Sequence, residues 1–241
     1  MQILITGGCG FIGSHVTICL LNQGYQIIIV DDLSNSSLDT LNLMKTISGK
    51  DIGFYNGKIQ DVKLLNKIFS ENKINLVMHF AGFKSVSESI SYPIKYYENN
   101  IVGTLNLIEQ MQLANVKSII FSSSATVYSK EESLPWKEDS KKLSPTNPYG
   151  YSKLFIERIL YDLAKANHEF KIGILRYFNP VGAHKSGMLG ELFDKNSNNL
   201  IPNILNVLSG TKNFFDLYGN NYDPPDGTCI RDYIHINDLV N

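Results

Sequence analysis

The chain has 241 residues, of which 43% are hydrophobic and 19% are charged, and its formal net charge at pH 7 is -1. This length is enough for one or two domains with a buried core. The near-zero charge excludes a global excess of positive charge of the kind that binds nucleic acid or an anionic membrane.

Short apolar segments rich in β-branched residues alternate with longer helical patterns. The predicted strands are 2–6, 26–30, 52–55, 75–80, 117–122 and 171–176. The predicted helices are 12–22, 36–48, 61–72, 92–114 and 149–167. Continuous apolar strands indicate a sheet buried on both faces, and the repeated βαβ order predicts an α/β fold with a doubly wound parallel sheet, the Rossmann arrangement.

The pattern changes after Pro180 to segments rich in Gly, Asn and Pro, with one helical stretch near 200–209. We therefore predict an NAD-binding Rossmann domain over 1–180 and a smaller substrate-binding region over 181–241. Strand 171–177 and segment 227–236 are alternatively assigned to the side of the main sheet.

A glycine motif lies between the first predicted strand and the first predicted helix. Gly7, Gly10 and Gly13 have GxxGxxG spacing, and a GxGxxG pattern overlaps it. Glycines permit a tight turn and the close approach of a pyrophosphate, while the helix N-terminus supplies N–H groups and the positive end of a dipole. The context predicts a dinucleotide site rather than a merely structural turn.

Asp31 ends the second predicted strand, where an acid accepts hydrogen bonds from an adenosine ribose. Asp32 follows it, and no Arg or Lys occurs before Lys45, so a 2′-phosphate would meet negative charge without a cationic partner. NAD is therefore favoured over NADP. The alternative interpretation of Asp31 is an acid in a turn at the end of a strand.

Tyr149 and Lys153 follow Pro148 at a predicted helix N-terminus, and their spacing places both side chains on one helical face. A tyrosine with a pKa near ~10 is a poor base unless positive charge stabilises its phenolate. Ser124 follows the fifth strand at its carboxyl end, where ligands bind in this architecture. A Tyr packed on a Lys stem and a serine cap are simpler explanations for each residue alone, but together they predict a catalytic set.

These motifs resemble the extended short-chain dehydrogenase/reductase family, and within it the UDP-hexose 4-epimerases. The matching segments are TGGCGFIGSH (6–15), HFAGFKSV (79–86), YYENNIVGTL (96–105), FSSSATVY (121–128), YFNPVGAH (177–184) and GTCIRDYIH (227–235). The resemblance implies that NAD stays bound while UDP-galactose and UDP-glucose interconvert through a 4-keto sugar. Tyr149 would take the proton of the 4-hydroxyl, Ser124 would hold that hydroxyl, and Lys153 would lower the pKa of Tyr149 and bind the nicotinamide ribose.

The resemblance also implies two sets of binding residues and a partner. The NAD set is Gly7, Gly10, Phe11, Ile12, Gly13, Asp31, Asn35, Ile59, Phe80, Ala81, Gly82, Lys84, Asn99, Ser124, Tyr149, Lys153 and Phe178. The UDP-sugar set is Asn179, Asn199, Leu200, Tyr218, Arg231 and Tyr233. The guanidinium of Arg231 would pair with the diphosphate. Helices near 92–114 and 149–167 would form a homodimer interface, and neither a metal, a nucleic acid nor a membrane is expected.

The chain departs from the family's pattern at several positions. Lys58 replaces an Asp that usually accepts a hydrogen bond from adenine, and since an ammonium only donates, we expect weaker NAD binding. Ser129 and Tyr151 replace a usual glycine and a usual basic residue. Family members continue past Asn241, so we expect an incomplete substrate region and a chain that binds NAD but epimerises weakly or not at all.

Alternatives to this function stay open on the residues alone. A nucleotide-sugar dehydratase needs an acid beside the tyrosine, which Ser124, Ala125 and Thr126 do not supply. An epimerase of another UDP-sugar, an N-acetylhexosamine or a glucuronate, is a closer alternative. A non-catalytic NAD-binding module is the alternative from another class.

Three cysteines without a CxxC pair favour free thiols in a reducing compartment. The N-terminus has no basic segment with a cleavage site, and no apolar run is as long as a membrane span. The expected location is cytoplasmic.

Overall fold

A six-stranded parallel sheet is the centre of the computed structural model, which describes residues 1–192, 199–217 and 219–241. Its strands are β1 Gln2–Thr6, β2 Gln26–Asp31, β3 Gly53–Asn56, β4 Ile74–His79, β5 Ser118–Ser122 and β6 Lys171–Leu175. Their order is β3-β2-β1-β4-β5-β6, so β2 and β3 extend the sheet on one side of β1 and β4 to β6 extend it on the other. The predicted doubly wound parallel sheet is confirmed, and its switch point predicts a ligand crevice at the carboxyl ends of β1 and β4.

Helices cover both faces of this sheet. They are α1 Phe11–Asn22, α2 Leu38–Ser48, α3 Val62–Glu71, α4 Val86–Ser91, α5 Pro93–Tyr97, α6 Gly103–Leu113, α7 Pro148–Ala166, α8 Leu200–Leu208 and α9 Ile236–Val240. The helix predicted at 92–114 is divided, because a π-helical turn at Glu98–Val102 joins α5 to α6. Helix α4 was not predicted; Ser85 caps it by accepting a hydrogen bond from the Glu88 N–H at 3.2 Å.

Two hydrophobic clusters hold the helices on the sheet. Leu4 joins the cluster beneath α3, α6 and α7, whereas Ile3 and Ile5 join the cluster beneath α1 and α2. Successive residues of a strand point to opposite faces, which explains why the predicted strands are apolar throughout. Each fully buried large side chain stabilises the fold by about 1.5–3 kcal/mol.

A separate two-stranded parallel sheet follows the main one. It pairs β7 Asn179–Val181 with β8 Tyr233–His235, so segment 227–236 contributes to this small sheet. Helix α9 then packs on α1, where Ile236 is fully buried and the Cys19 thiol lies 3.6 Å from the Val240 carbonyl oxygen. The division into 1–180 and 181–241 stays a prediction. No helix in the described ranges combines the length and apolarity that crossing a bilayer requires.

Gly13 is required by the packing of α1 on the turn that precedes it. A Cβ at this position would lie 2.3 Å from the Gly7 carbonyl oxygen and 2.8 Å from the Gly8 Cα. We expect Gly13→Ala to lower the free energy of unfolding in urea by about 1–3 kcal/mol, since the obstacle is backbone. The matched control is Gly10→Ala, whose Cβ would meet only the Gly7 oxygen, at 3.3 Å. Equal stability of the two variants would contradict this account.

Candidate active site

The glycine loop between β1 and α1 is fixed against the end of β4. Gly7 has a left-handed φ of +69°, and a Cβ there would lie 2.6 Å from the Ala81 backbone nitrogen, so only glycine fits this close approach. The Gly7 N–H donates to Val30 at 2.9 Å. The loop and the segment that follows β4 therefore meet at the switch point of the sheet.

Asp31 ties the glycine loop to the end of β2. Its buried carboxylate accepts hydrogen bonds from the Cys9 N–H at 2.9 Å, the Leu33 N–H at 2.9 Å and the Ser36 hydroxyl at 2.8 Å. Since a carboxylate has about four acceptor positions, about one remains for a further donor. Asn35, predicted in the same region, is exposed.

A network of buried polar side chains lies at the carboxyl ends of β1 and β4. The ring of His79 bridges the hydroxyls of Thr6 and Thr104, at 2.7 and 2.8 Å. Burial, followed by the nearby charge of Lys153, lowers the pKa of His79 to about 3, so the ring stays neutral. The Thr6 hydroxyl also accepts from the Ala81 N–H at 3.2 Å.

Asn100 connects the segment after β4 to α7, and sequence reasoning missed it. Its side-chain oxygen accepts from the Phe83 N–H at 2.9 Å, and its amide donates to the Ser152 hydroxyl at 2.9 Å. Asn99 donates to its neighbour Asn100 and accepts from Gln60 at 2.8 Å, and its assignment to NAD binding stays a prediction. No periodic signal distinguishes these adjacent amides, because their roles depend on contacts distant in sequence.

Helix α7 delivers Tyr149 and Lys153 to the same edge. Asn147 caps the helix by accepting from the Gly150 N–H at 2.9 Å, and Pro148 begins it. The Lys153 ammonium donates to the Ser122 carbonyl oxygen at 2.8 Å and lies 5.9 Å from the centre of the Tyr149 ring. A Cβ on Gly82 would come within 3.7 Å of this ammonium, so the segment after β4 borders it directly.

The electrostatics of Tyr149 differ from the sequence expectation. Burial raises its pKa, and the hydrogen bond with Ser124 lowers it only in part. Lys153, expected to lower the pKa of Tyr149, is itself buried, and that burial lowers its own pKa to about 8. The expectation named the attraction between the two groups but left out the desolvation that both undergo.

An aromatic stack forms one wall next to this set. Arg176 lies over the Tyr128 ring, Tyr128 stacks on Trp136 at 5.2 Å, and Trp136 stacks on Phe178 at 6.1 Å between centroids. Phe178 keeps 38% of its surface exposed. The stack fixes the orientation of Phe178, which the sequence assigned to the NAD pocket.

The predicted substrate residues lie on and around the small sheet. Asn179 donates through its side chain to the Asp232 carbonyl oxygen at 2.8 Å, which holds β7 beside β8. Arg231 and Tyr233 are exposed next to that contact. Asn199 and Leu200 are exposed at the start of α8, on a different element. Tyr218 lies outside the described residues.

The remaining predicted NAD residues border the glycine loop or the segment after β4. Phe11 and Ile12 form the first turn of α1, Ile59 is buried, and Phe80 is partly buried. Lys84 is exposed and forms an ion pair with Glu191 at 2.9 Å. Lys58 is exposed on the segment before α3.

The donor set fits a dinucleotide. Gly10 precedes helix α1 without a side-chain cap, and the first turn contains no acid, so the N-terminal N–H groups of α1 can bind an anion. Asp31 lies at the end of the neighbouring strand with acceptor capacity remaining. Together these groups match the pyrophosphate and ribose of a dinucleotide such as NAD.

Comparison with known proteins identifies relatives along the whole chain. The model of the NAD dependent epimerase/dehydratase family matches residues 3–241. A UDP-glucose 4-epimerase of Yersinia enterocolitica is 52% identical over 240 residues, which are 100% of this chain and 71% of that protein. One from Neisseria meningitidis serogroup A is 51% identical over 239 residues, 99% of this chain and 70% of the relative.

Two solved structures similar to this chain are also of UDP-glucose 4-epimerases. The UDP-glucose 4-epimerase of Bifidobacterium longum in complex with NAD+ and UDP superposes with a TM-score of 0.97 at 49% identity, covering 100% of this chain and 72% of that one. The enzyme of Stenotrophomonas maltophila with bound NAD and formylated UDP-arabinopyranose has a TM-score of 0.95 at 40% identity, covering 100% and 71%.

The buried neutral ring of His79 makes stability depend on pH. Its pKa falls from 6.5 to about 3 on folding, so the unfolded chain binds more protons between these values and stability is lost as pH falls through this window. The slope from this group reaches about 1.4 kcal/mol per pH unit. Urea unfolding at several pH values between about 7 and 5 measures it.

His79→Gln should be less stable than the parent near neutral pH but lose less stability on acidification. The exposed His168→Gln is the matched control and should keep the parent slope. If His79→Gln keeps the parent slope as well, His79 is not the group that titrates.

Proposed function

The chain belongs to the NAD dependent epimerase/dehydratase family, and on that premise we propose that it interconverts UDP-galactose and UDP-glucose by epimerisation at C4. The observation that carries the proposal is the meeting of Ser124, Tyr149 and Lys153 at the edge of the sheet where the glycine loop lies. The names of relatives that are about half identical over nearly the whole chain support the same reaction.

In this proposal Tyr149 moves the proton. As a phenolate, Tyr149 takes the proton of the sugar 4-hydroxyl during oxidation and becomes a phenol, which returns the proton during reduction. Ser124, already hydrogen-bonded to Tyr149, accepts and donates at the same hydroxyl. NAD, when bound, supplies the oxidation and the matching reduction at C4. The 4-keto sugar turns between the two half-reactions, so C4 is inverted.

The positive charge of Lys153 offsets the effect of burial on the pKa of Tyr149. Since burial raises the pKa of Tyr149, a phenolate forms only beside a positive charge. With a pKa of about 8, the Lys153 ammonium is largely charged near pH 7 and can provide that charge. The glycine loop, Asp31 and residues 80–82 hold the dinucleotide at the same edge.

Substrate binding is assigned to the small sheet. The side chain of Asn179 fixes the Asp232 backbone, and this contact positions the adjacent Arg231. The guanidinium of Arg231 is exposed and uses one N–H group for the Ile230 carbonyl oxygen at 3.0 Å, so its other N–H groups can bind a diphosphate. Residues 181–241 act as the substrate region and 1–180 as the NAD-binding domain.

The proposal includes a reducing, cytoplasmic location. Cys9, Cys19 and Cys229 are all free thiols. Cys9 is buried beside Asp31, and burial raises the pKa of its thiol to about 12, so it packs as a small apolar group.

Removing the phenol oxygen tests the reaction. Tyr149→Phe should lower kcat for UDP-galactose conversion by about 10²–10⁴-fold, because the proton acceptor is lost. Conversion is followed as UDP-glucose formation, and NAD content is measured on the same sample. The matched control is Tyr161→Phe, a tyrosine further along α7 that is 51% exposed and lies away from the catalytic set.

Two other outcomes would contradict the proposal. Equal activity of Tyr149→Phe and the parent would refute the assigned role of Tyr149. A parent chain that binds NAD but converts no UDP-galactose would support the non-catalytic NAD-binding module instead.

The proposal also includes a homodimer formed through α5, α6 and α7. Ile94, Val102 and Leu105 are exposed along the α5–α6 segment, and Tyr151 and Phe155 are exposed on the adjacent face of α7. We call these five residues the helix-pair surface. Its parts are continuous, because the Phe155 ring lies 6.4 Å from the ring of Tyr97 on α5. Exposed apolar patches of this kind mark interaction surfaces, and two copies would meet as four helices.

A charge on the helix-pair surface tests the dimer. Phe155→Glu should shift the sedimentation coefficient from dimer to monomer, since a carboxylate buried without a partner is costly. Leu134→Glu, on an exposed loop elsewhere, should leave the dimer intact. A parent chain that sediments as a monomer would overturn the dimer without affecting the catalytic assignment.

A further inference from the structure

A buried carboxylate lies one helical turn below the catalytic lysine. Glu157 follows Lys153 by four residues on α7, and both are 5% exposed. Its carboxylate accepts from Arg176, whose Nε is 3.0 Å from Oε1 and whose Nη2 is 2.7 Å from Oε2, and it also accepts from the Ser123 hydroxyl. The sequence offered one signal for it, since the i, i+4 spacing that relates Tyr149 to Lys153 also relates Lys153 to Glu157.

The two charged groups are attached to consecutive residues at the end of β5. Lys153 donates to the carbonyl oxygen of Ser122, and Ser123 donates to the carboxylate of Glu157. The helix is therefore fixed to the strand at two successive turns, and both contacts lie at the strand end that carries Ser124. These two contacts fix the rotation of α7 about its own axis and its position along β5.

We propose that Glu157 is a positioning residue for the reaction, which keeps the Lys153 ammonium charged and directed at Tyr149 by fixing a negative charge one turn below it. This inference rests on the proposed epimerase function. Glu157 acts through Lys153 and does not contact the reacting atoms.

The surrounding charges support this assignment. The titratable and charged groups around Lys153 are Tyr149 and Glu157 on α7, His79 at the end of β4, and two residues after β6: Arg176, which pairs with Glu157, and Tyr177, whose hydroxyl donates to that of Ser122. His79 is neutral, because its pKa is lowered to about 3, and burial raises the pKa of Tyr149. Burial also raises the pKa of Tyr177, so among these five groups the Glu157 carboxylate, paired with Arg176, is the only anion. It raises the pKa of Lys153 against the effect of burial.

Arg176 offsets the cost of burying the Glu157 carboxylate. It forms a bidentate pair with Glu157 while its guanidinium lies 5.1 Å from the centre of the Tyr128 ring. Removing Glu157 alone leaves the mostly buried Arg176 guanidinium without its anion, which destabilises the protein and complicates the interpretation of the single variant. A test must therefore remove the pair as well as the single residue.

The experiment measures the charge of Lys153 directly. The chain is labelled with ¹³C at lysine Cε, and the titration of each signal is followed by NMR, with Lys153→Met to assign the signal. The variants are Glu157→Gln and the double variant Glu157→Gln with Arg176→Met. The control is Asp162→Asn, which removes a carboxylate from the exposed side of the same helix, where it pairs with Arg158.

Both Glu157 variants should move the Lys153 midpoint to lower pH by about one pH unit or more, whereas Asp162→Asn should not move it. The alkaline limb of kcat for UDP-galactose should move in the same direction, because activity is lost as pH rises through the pKa of Lys153. KM should change less than kcat.

The outcomes are decisive in either direction. If the folded double variant keeps the parent midpoint, Glu157 only pairs with Arg176 and the inference is wrong. A purely structural role would lower stability without moving the midpoint. If the midpoint moves but the parent chain has no epimerase activity, the proposed function fails while the coupling of Glu157 to Lys153 stands.

Discussion

The site depends on keeping one ammonium charged outside water. Lys153 is buried at the end of β5, and its pKa is lowered to about 8 because desolvation penalises its charged form. One carbonyl oxygen, that of Ser122, accepts from it directly. Further stabilisation comes from the Phe121 ring, whose centre lies 4.9 Å from the ammonium, and from the Glu157 carboxylate one turn along α7. The neighbouring His79 adds no repulsion, because its ring stays neutral. The wider packing of α7 on β5 therefore serves an electrostatic requirement as much as a hydrophobic one.

Much of the fold follows from local signals. Each of the six main strands was predicted to within two residues at either end, since apolar β-branched segments between turn residues have few alternatives in a parallel sheet. Helices α1, α2, α3, α7 and α8 were predicted in the same way, from the spacing of their apolar residues and from their capping residues. The glycine motif, Asp31, Ser124, Tyr149 and Lys153 could be placed at one sheet edge, because in a parallel βαβ fold the carboxyl ends of the strands and the N-termini of the helices lie at the same edge.

The parts that sequence reasoning missed depend on contacts distant in the chain. The pairing of β7 with β8 joins short segments more than fifty residues apart, and neither has a strong strand pattern. Asn100 and Arg176 become important only through partners on other elements. The sign of the pKa shift at Tyr149 depends on how deeply α7 is buried, a quantity that residue type and spacing do not contain. The order of helices and strands could thus be predicted from the sequence. The pKa shifts could not, because they depend on how deeply each group is buried and on which charges lie near it.

The aromatic stack that ends on Phe178 gives this protein an internal optical probe. Trp136 is the one tryptophan in the chain, and it lies between Tyr128 and Phe178 beside the catalytic set. Ultraviolet emission excited at the red edge of protein absorption therefore originates from a single location. The intensity and wavelength maximum of this emission respond to changes around Trp136 and contain no contribution from another indole. Ligand binding beside the stack and local rearrangement of its side chains can therefore be followed on the unlabelled chain.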